Sequence, residues 1–247
     1  MNKIIDILQN VCTEAPKLFY RGLDQTINCH EKMLIVTANP EIIMMGRRDN
    51  KMYDLLMNKS CIIPDGIGVV KAEKLLGRKE TQRNPGIELV EYILRSGSEK
   101  KYKVFLYGSK ENVLNDFKAM CQTQYPGIKF VGLYDGYTHS DEEMKRKAIE
   151  SKADVYLVAL GTPHQELFLG DVMDSVDYGV GIGIGGSIDV LSGNINRAPT
   201  FFLEHNMEWL YRITTQPKRL KRFFKGNIWF VFVLIKELLE KRLKNET

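Results

Sequence analysis

The chain of 247 residues has no C-x-x-C pair. Its four cysteines, Cys12, Cys29, Cys61 and Cys121, stand far apart, which suggests neither a disulfide framework nor a zinc site. The four histidines, His30, His139, His164 and His205, are equally dispersed. No D-x-D, H-E-x-x-H or Walker-type motif occurs, so no recognisable metal or P-loop site is marked and no cofactor is expected. Long hydrophobic runs are absent too. The longest, Ile228–Ile235, has eight residues, against the ~20 needed to span a bilayer. The first ten residues mix Lys3 and Asp6 into a short apolar stretch and lack the apolar core of a signal peptide. The expected address is therefore the cell interior. There is no repeat, no low-complexity tract and no linker that would split the body.

What is present is an ordinary globular composition, 44% hydrophobic and 27% charged, in a chain long enough for one α/β domain and a modest extension. Acidic residues are scarce near the C-terminus. From Arg212 to Thr247 the formal charge is +7, which leaves −3 on residues 1–211 of a chain carrying +4 in all. A slightly acidic body with a basic tail points to an anionic partner for the tail, either nucleic acid or membrane phospholipid.

Six β-rich runs alternate with helical patterns: Met33–Thr37, Cys61–Pro64, Tyr102–Tyr107, Ile128–Leu133, Asp154–Leu160 and Tyr178–Ile184. Several are apolar on both faces, as strands of a parallel sheet covered by helices must be. Asn39-Pro40, Asn84-Pro85 and Thr162-Pro163 each set a capping residue before a proline suited to a first helical position, and Ser140 and Glu143 have capping-box spacing. This pattern predicts an α/β protein, a Rossmann-like three-layer sandwich on a mainly parallel sheet. The expected body is 1–196 and the expected helical appendage 197–247. Such sheets bind ligands beyond the carboxyl ends of their strands. That draws attention to Thr37 and Asn39, Asp65, Gly108, Asp135 and Tyr137, Gly161, and Gly185, Gly186 and Asp189.

Asp65, between Pro64 and Gly66, has two readings: the cap of a helix over Ile67–Leu76, or a general base on a rigid strand edge. Thr162 and Gln165 match a capping box, although a helix N-terminus after Gly161 would equally suit a phosphate or a polar sugar. Gly181, Gly183 and Gly186 satisfy G-x-G-x-x-G, but on the last strand rather than the first, which argues against nicotinamide binding. If a nucleotide diphosphate leaves without a metal, arginines must take its charge, and Arg83, Arg212, Arg219 and Arg222 are placed to do so.

The tail gives the strongest compositional signal. Between Arg212 and Lys225 lie six basic residues and no acid, interleaved with Leu220, Phe223 and Phe224, before the apolar run that contains Trp229. This suits an interfacial helix on an anionic membrane. The plainer reading is a C-terminal helix packed on the body with its charges solvated. Removal at Tyr211 separates the two, since a docking appendage can be lost from a folded body and a packed helix cannot. The apolar density disfavours a nucleic-acid face.

Several stretches together resemble the WecG/TagA/CpsF glycosyltransferase family: Thr37-Ala-Asn-Pro40, Pro64-Asp-Gly-Ile67, Arg83-Asn-Pro-Gly86, Phe105-Leu-Tyr-Gly108, Gly161-Thr-Pro-His-Gln-Glu166, Gly185-Gly-Ser-Ile-Asp189, Arg197-Ala-Pro199 and Glu208-Trp-Leu-Tyr-Arg212. They run in order over nearly the whole chain, and the tail is most similar to the teichoic-acid branch. The resemblance implies inverting, metal-independent transfer of N-acetylmannosamine from its UDP form to undecaprenyl-diphosphate-linked N-acetylglucosamine. It implies Asp65 as base, Thr37, Arg83 and Gln165 in the pocket, and Arg212, Arg219 and Arg222 delivered by the appendage. Assignment of Tyr137, Gly186 and Asp189 to the nucleotide rests partly on fold geometry. A polyprenyl acceptor gives the tail its reason, at the inner face of the cell membrane. Self-association is left open. The rival readings are a sibling transferase with another nucleotide sugar, such as an N-acetylmannosaminuronic acid donor, and a non-catalytic nucleotide- or membrane-binding module.

Overall fold

Strands β1 (Lys32–Ala38), β2 (Cys61–Pro64), β3 (Lys103–Gly108), β4 (Lys129–Tyr134), β5 (Val155–Ala159) and β6 (Gly179–Gly183) each fall within one residue, at either end, of the run that predicts them. In this computed structural model residues 2–215 and 220–245 are described, as backbone alone at 212, 220–225, 242, 244 and 245. The six strands form one parallel sheet in the order β2-β1-β6-β5-β3-β4. Interior strands β5 and β6 are buried almost throughout, whereas edge strand β4 alternates exposed and half-buried residues. The other edge, β2, is partly covered. Val11 bridges Ile62, and the Cys12 amide donates to the Ile62 carbonyl at 2.8 Å. That covering suppresses edge-to-edge pairing.

Helices on both faces give two separate cores. One gathers Ile4, Ile7 and Leu8 with Ile43, Met52, Ala148, Leu169 and Val172 against β1 and β5. The other gathers Phe19, Leu23, Leu89, Ile93, Leu114 and Phe117 against the opposite face. The α/β, three-layer, Rossmann-like architecture expected from the sequence is what the chain forms. The glycines of β6 serve close packing. A Cβ at Gly181 would stand 3.1 Å from Leu169 and Met173 on the helix His164–Ser175, and one at Gly183 only 2.5 Å from Gln165.

Helix starts are partly as predicted. Asn39 Oδ1 accepts from the amides of Glu41 and Ile42, and Ser140 Oγ from that of Glu143. The other two differ. Asn84 does not cap the helix Gly86–Lys100; its Oδ1 accepts from the Tyr20 hydroxyl. The Thr162-Pro163 peptide is cis, the next helix begins at His164, and no side chain caps it. Thr162 Oγ1 and Gln165 Nε2 turn instead to Glu166.

The C-terminal helix, Leu220–Asn245, runs ~39 Å across one face of the body at 1.5 Å per residue. Phe230, Val233 and Leu234 enter the first core. Glu237, buried, accepts from the amides of Ile4 and Ile5 at 3.0 and 3.3 Å and from Arg47 Nε at 3.4 Å. It therefore satisfies free amides at the start of the helix Lys3–Gln9, where a negative charge is favoured. The opposite face of the same helix exposes Ile228, Trp229, Phe232, Ile235, Leu239 and Leu243, the last by 66%. The tail thus packs on the body with one apolar face and presents a second one outward. Among the described residues no helix is long and apolar enough to cross a membrane.

Candidate active site

Beyond the carboxyl ends of β1 and β2 the chain forms a tight corner. The Asp65 amide donates to the Ala38 carbonyl at 3.0 Å, which continues the β1–β2 pairing by one residue and fixes the Asp65 backbone. Its carboxylate does not cap the adjacent helix Ile67–Leu75, whose N-cap, Gly66, has no side-chain bond. Asp65 Oδ1 reaches 21 residues along the chain and accepts from the Gly86 amide at 2.7 Å, at the start of the helix Gly86–Lys100. The carboxylate therefore takes up a free amide in the first turn of that helix. Gly86 also touches β1, because a Cβ there would lie 3.0 Å from Thr37 Cγ2. Thr37 and Asp65 thus flank one backbone position that no larger residue could occupy without displacement.

Arg83 closes the corner. Its Nε donates to the Asp65 carbonyl at 2.7 Å, and its Nη2 meets Glu208 Oε2 at 2.8 Å, with the two side chains 20% and 14% exposed. Glu208 opens the helix Glu208–Thr215, so this ion pair ties the segment after residue 197 to the corner. Residue 212 follows Glu208 by one helical turn. The side chains of Arg212 and Arg222, and all of Arg219, lie outside the described residues. A narrow crevice beside the corner is lined by Ile87, Gly186, Val190, Arg197, Glu208 and Tyr211.

The sheet order sets β6 beside β1 and β5 beside β6, so Gly185 and Gln165 continue the row. Gln165 is buried with its side chain against Gly183, and its Oε1 lies 3.6 Å from where a Gly185 Cβ would be. Asn39 lines the first corner with its Oδ1 engaged in capping, which leaves Nδ2 as the group it can turn to a ligand. Gly186 precedes the short helix Ser187–Leu191, in which Asp189 is half-buried and its carbonyl accepts from Ile195 and Ser192. The Gly161 carbonyl accepts from the Gln165 amide at 3.0 Å, whereas Gly108 and Tyr137 form a separate corner beyond β3 and β4. There a Cβ on Gly108, at φ +119°, would strike the Ala159 carbonyl at 2.5 Å. Gly136 lies against Gly108 and Leu160, and Tyr137 is 74% exposed. The structure therefore brings Thr37, Asn39, Asp65 and Arg83 together, places Gln165, Gly161 and Gly185 in the same row, and sets Gly108 and Tyr137 apart.

Sequence reasoning did not single out Glu208, Glu166 or the Gly86 amide. The first and last meet the corner across 125 and 21 residues, and no local pattern marks such contacts. Among the described residues no three His, Cys, Asp or Glu side chains come together as a metal would require.

The family described as the glycosyl transferase WecG/TagA/CpsF family matches residues 7–244, and the chain belongs to it. It is an α/β glycosyltransferase. Similar curated proteins carry the name N-acetylglucosaminyldiphosphoundecaprenol N-acetyl-beta-D-mannosaminyltransferase. The one from Bacillus subtilis strain 168 is 35% identical over 219 residues, covering 89% of this chain and 84% of its own length. The one from Bacillus spizizenii is 39% identical over 188 residues, 76% of this chain and 73% of its own. The one from Staphylococcus aureus strain NCTC 8325 is 36% identical over 191 residues, 77% and 75% respectively.

Proposed function

We propose that the chain moves N-acetylmannosamine from a UDP-activated donor onto undecaprenyl-diphosphate-linked N-acetylglucosamine, with inversion and without a metal ion. The observation that carries this reading is the corner in which Thr37 and Asp65 meet at Gly86 while Arg83 holds the Asp65 carbonyl. The relatives' shared name supplies the sugar and the acceptor. Inversion needs one in-line displacement. Asp65 takes the acceptor hydroxyl proton as the new glycosidic bond forms, and UDP leaves with the electron pair of the broken bond. Arg83, held beside Asp65, is assigned to stabilise the departing diphosphate, and Arg212, Arg219 and Arg222 are the cations assigned to complete that role. Gln165, Gly161, Asn39, Gly185, Gly186 and Asp189 are assigned to substrate, as are Gly108 and Tyr137 at the second corner.

The tail is the membrane-facing part. Its outward stripe of Trp229, Phe232, Ile235 and Leu239, together with the basic residues from Arg212 to Lys225, suits the inner face of an anionic membrane, where the acceptor is held. Residues 197–247 are then a functional appendage to the body 1–196, cytoplasmic and peripheral rather than spanning.

The direct test offers a short-chain lipid-diphosphate N-acetylglucosamine and a panel of UDP sugars, with products read by mass spectrometry. A disaccharide product from UDP-N-acetylmannosamine is expected, and transfer from a different donor alone would overturn the assignment. EDTA is expected to leave the rate unchanged; loss of activity restored by Mg²⁺ or Mn²⁺ would contradict the arginine mechanism. Arg83→Lys keeps the charge but cannot reach both the Asp65 carbonyl and Glu208 with one planar fork. Its kcat/KM should fall about 10²–10³-fold, measured under the same conditions.

A further inference from the structure

In the same row of strand ends as Asp65 and Arg83, two adjacent buried side chains form a pair, of which the reading above uses Gln165 and gives Glu166 no part. Gln165 is 4% exposed and Glu166 2%. Gln165 Nε2 donates to Glu166 Oε1 at 2.7 Å, and Thr162 Oγ1 donates to the same oxygen at 3.4 Å. The Gln165 amide oxygen, Oε1, and the second Glu166 oxygen, Oε2, are buried without a hydrogen-bond partner among the described residues. Burial holds the Glu166 carboxyl above the ordinary carboxylate range, against the opposing hydrogen bonds from Gln165 and Thr162.

An amide can face a ligand with either its NH₂ or its oxygen, and its partner decides which. Glu166 Oε1 accepts from both neighbours, so it is the NH₂ of Gln165 and not its oxygen that faces Glu166. Gln165 Oε1 is thereby turned toward Gly185, the residue without a side chain at the mouth of β6. A buried acceptor without a donor is costly in a folded protein, and such an atom at a binding site signals a partner that arrives with the ligand.

We propose that Glu166 is a positioning residue: by holding Gln165 Nε2 it presents Gln165 Oε1 as an acceptor to a hydroxyl or amide N–H of the bound sugar. The inference rests on the transferase reading for the identity of the ligand, but not for the Gln165–Glu166 coupling. Glu166→Met fills the same space and removes the acceptor, so the Gln165 amide is free to turn. Glu166→Gln restores an acceptor oxygen. In the full chain, Glu166→Met should lower kcat/KM for the donor about tenfold to a hundredfold, chiefly through KM. Glu166→Gln should recover most of that loss, and all three proteins should melt within a few degrees of one another. A merely structural glutamate would shift melting and leave KM alone.

A second measurement does not depend on turnover. The side-chain NH₂ pair of Gln165, assigned by its disappearance from the ¹⁵N spectrum of Gln165→Met, should resist solvent exchange in the wild type and in Glu166→Gln. It should lose that protection in Glu166→Met. Unchanged protection in Glu166→Met, or wild-type kinetics for that variant in an active enzyme, overturns the proposal. A wild type that transfers no sugar sinks the transferase reading alone, and the amide measurement still decides whether Glu166 holds Gln165.

Discussion

Asp65→Asn should reduce sugar transfer about 10²–10⁴-fold while leaving the fold and UDP binding close to wild type. The substitution is informative because of the second role the structure gives this residue. Asp65 Oδ1 accepts from the Gly86 amide at 2.7 Å, and an asparagine oxygen accepts the same bond. The start of the helix Gly86–Lys100 therefore keeps its partner, and Arg83, which holds the Asp65 backbone carbonyl, keeps its seat. Only the basic oxygen is lost. Asp65→Ala serves as the contrasting variant, since it removes base and cap together and should also cost about 1 kcal/mol of stability, the ordinary value of a lost N-terminal cap. Rates come from the disaccharide assay, UDP affinity from calorimetry and stability from thermal melting. Near-normal turnover in Asp65→Asn would take the residue out of the mechanism.

The second large effect separates the two faces of the C-terminal helix. Phe230 is 2% exposed and packs in the core with Val233 and Leu234, so Phe230→Ala should cost about 3–5 kcal/mol and lower Tm sharply. Trp229 and Phe232, adjacent in sequence but 52% and 65% exposed, contribute little to that core. Replacing both by Ser should leave Tm within a few degrees of wild type and abolish sedimentation with anionic liposomes. Raised salt should weaken the binding of the unaltered protein, because the basic residues act through a screened attraction. A Trp229/Phe232 double variant that still sediments fully would remove the outward stripe from membrane docking. The packing of Phe230 also alters what truncation at Tyr211 means: it removes part of the body's core along with the appendage, so point substitutions are the cleaner instrument.

The sheet was legible because its strands are apolar on both faces and bounded by glycine, proline and asparagine, which are local signals. Caps at Asn39 and Ser140 were legible for the same reason, since donor and acceptor lie within three residues. Asp65 was recognisable as important but not in its hydrogen bonding. Local reasoning offers it the next helix, Ile67–Leu75, whereas its carboxylate serves the helix after that. Thr162 and Gln165 have the spacing of a cap, yet the neighbouring Glu166 draws both side chains elsewhere. The tail was ambiguous for a different reason. Apolar residues that encircle a helix do not reveal which are covered by the body and which face outward. Only the packed structure assigns Phe230 to one side and Phe232 to the other.

The bond between Glu237 and the amides of Ile4 and Ile5 joins groups 233 and 232 residues apart. During synthesis the first helix waits for nearly the entire chain before its final partner exists. Contacts of such separation form late, because the loop they close is long and its entropy must be overcome first. The strands and their covering helices can collapse as they emerge, but the first core remains open where Phe230, Val233 and Leu234 will sit. Completion of the fold and presentation of the outward apolar stripe are therefore one event on the ribosome. A nascent chain arrested before residue 230 would leave Ile4 and Ile7 without the cover of Phe230, Val233 and Leu234 and open to chaperones.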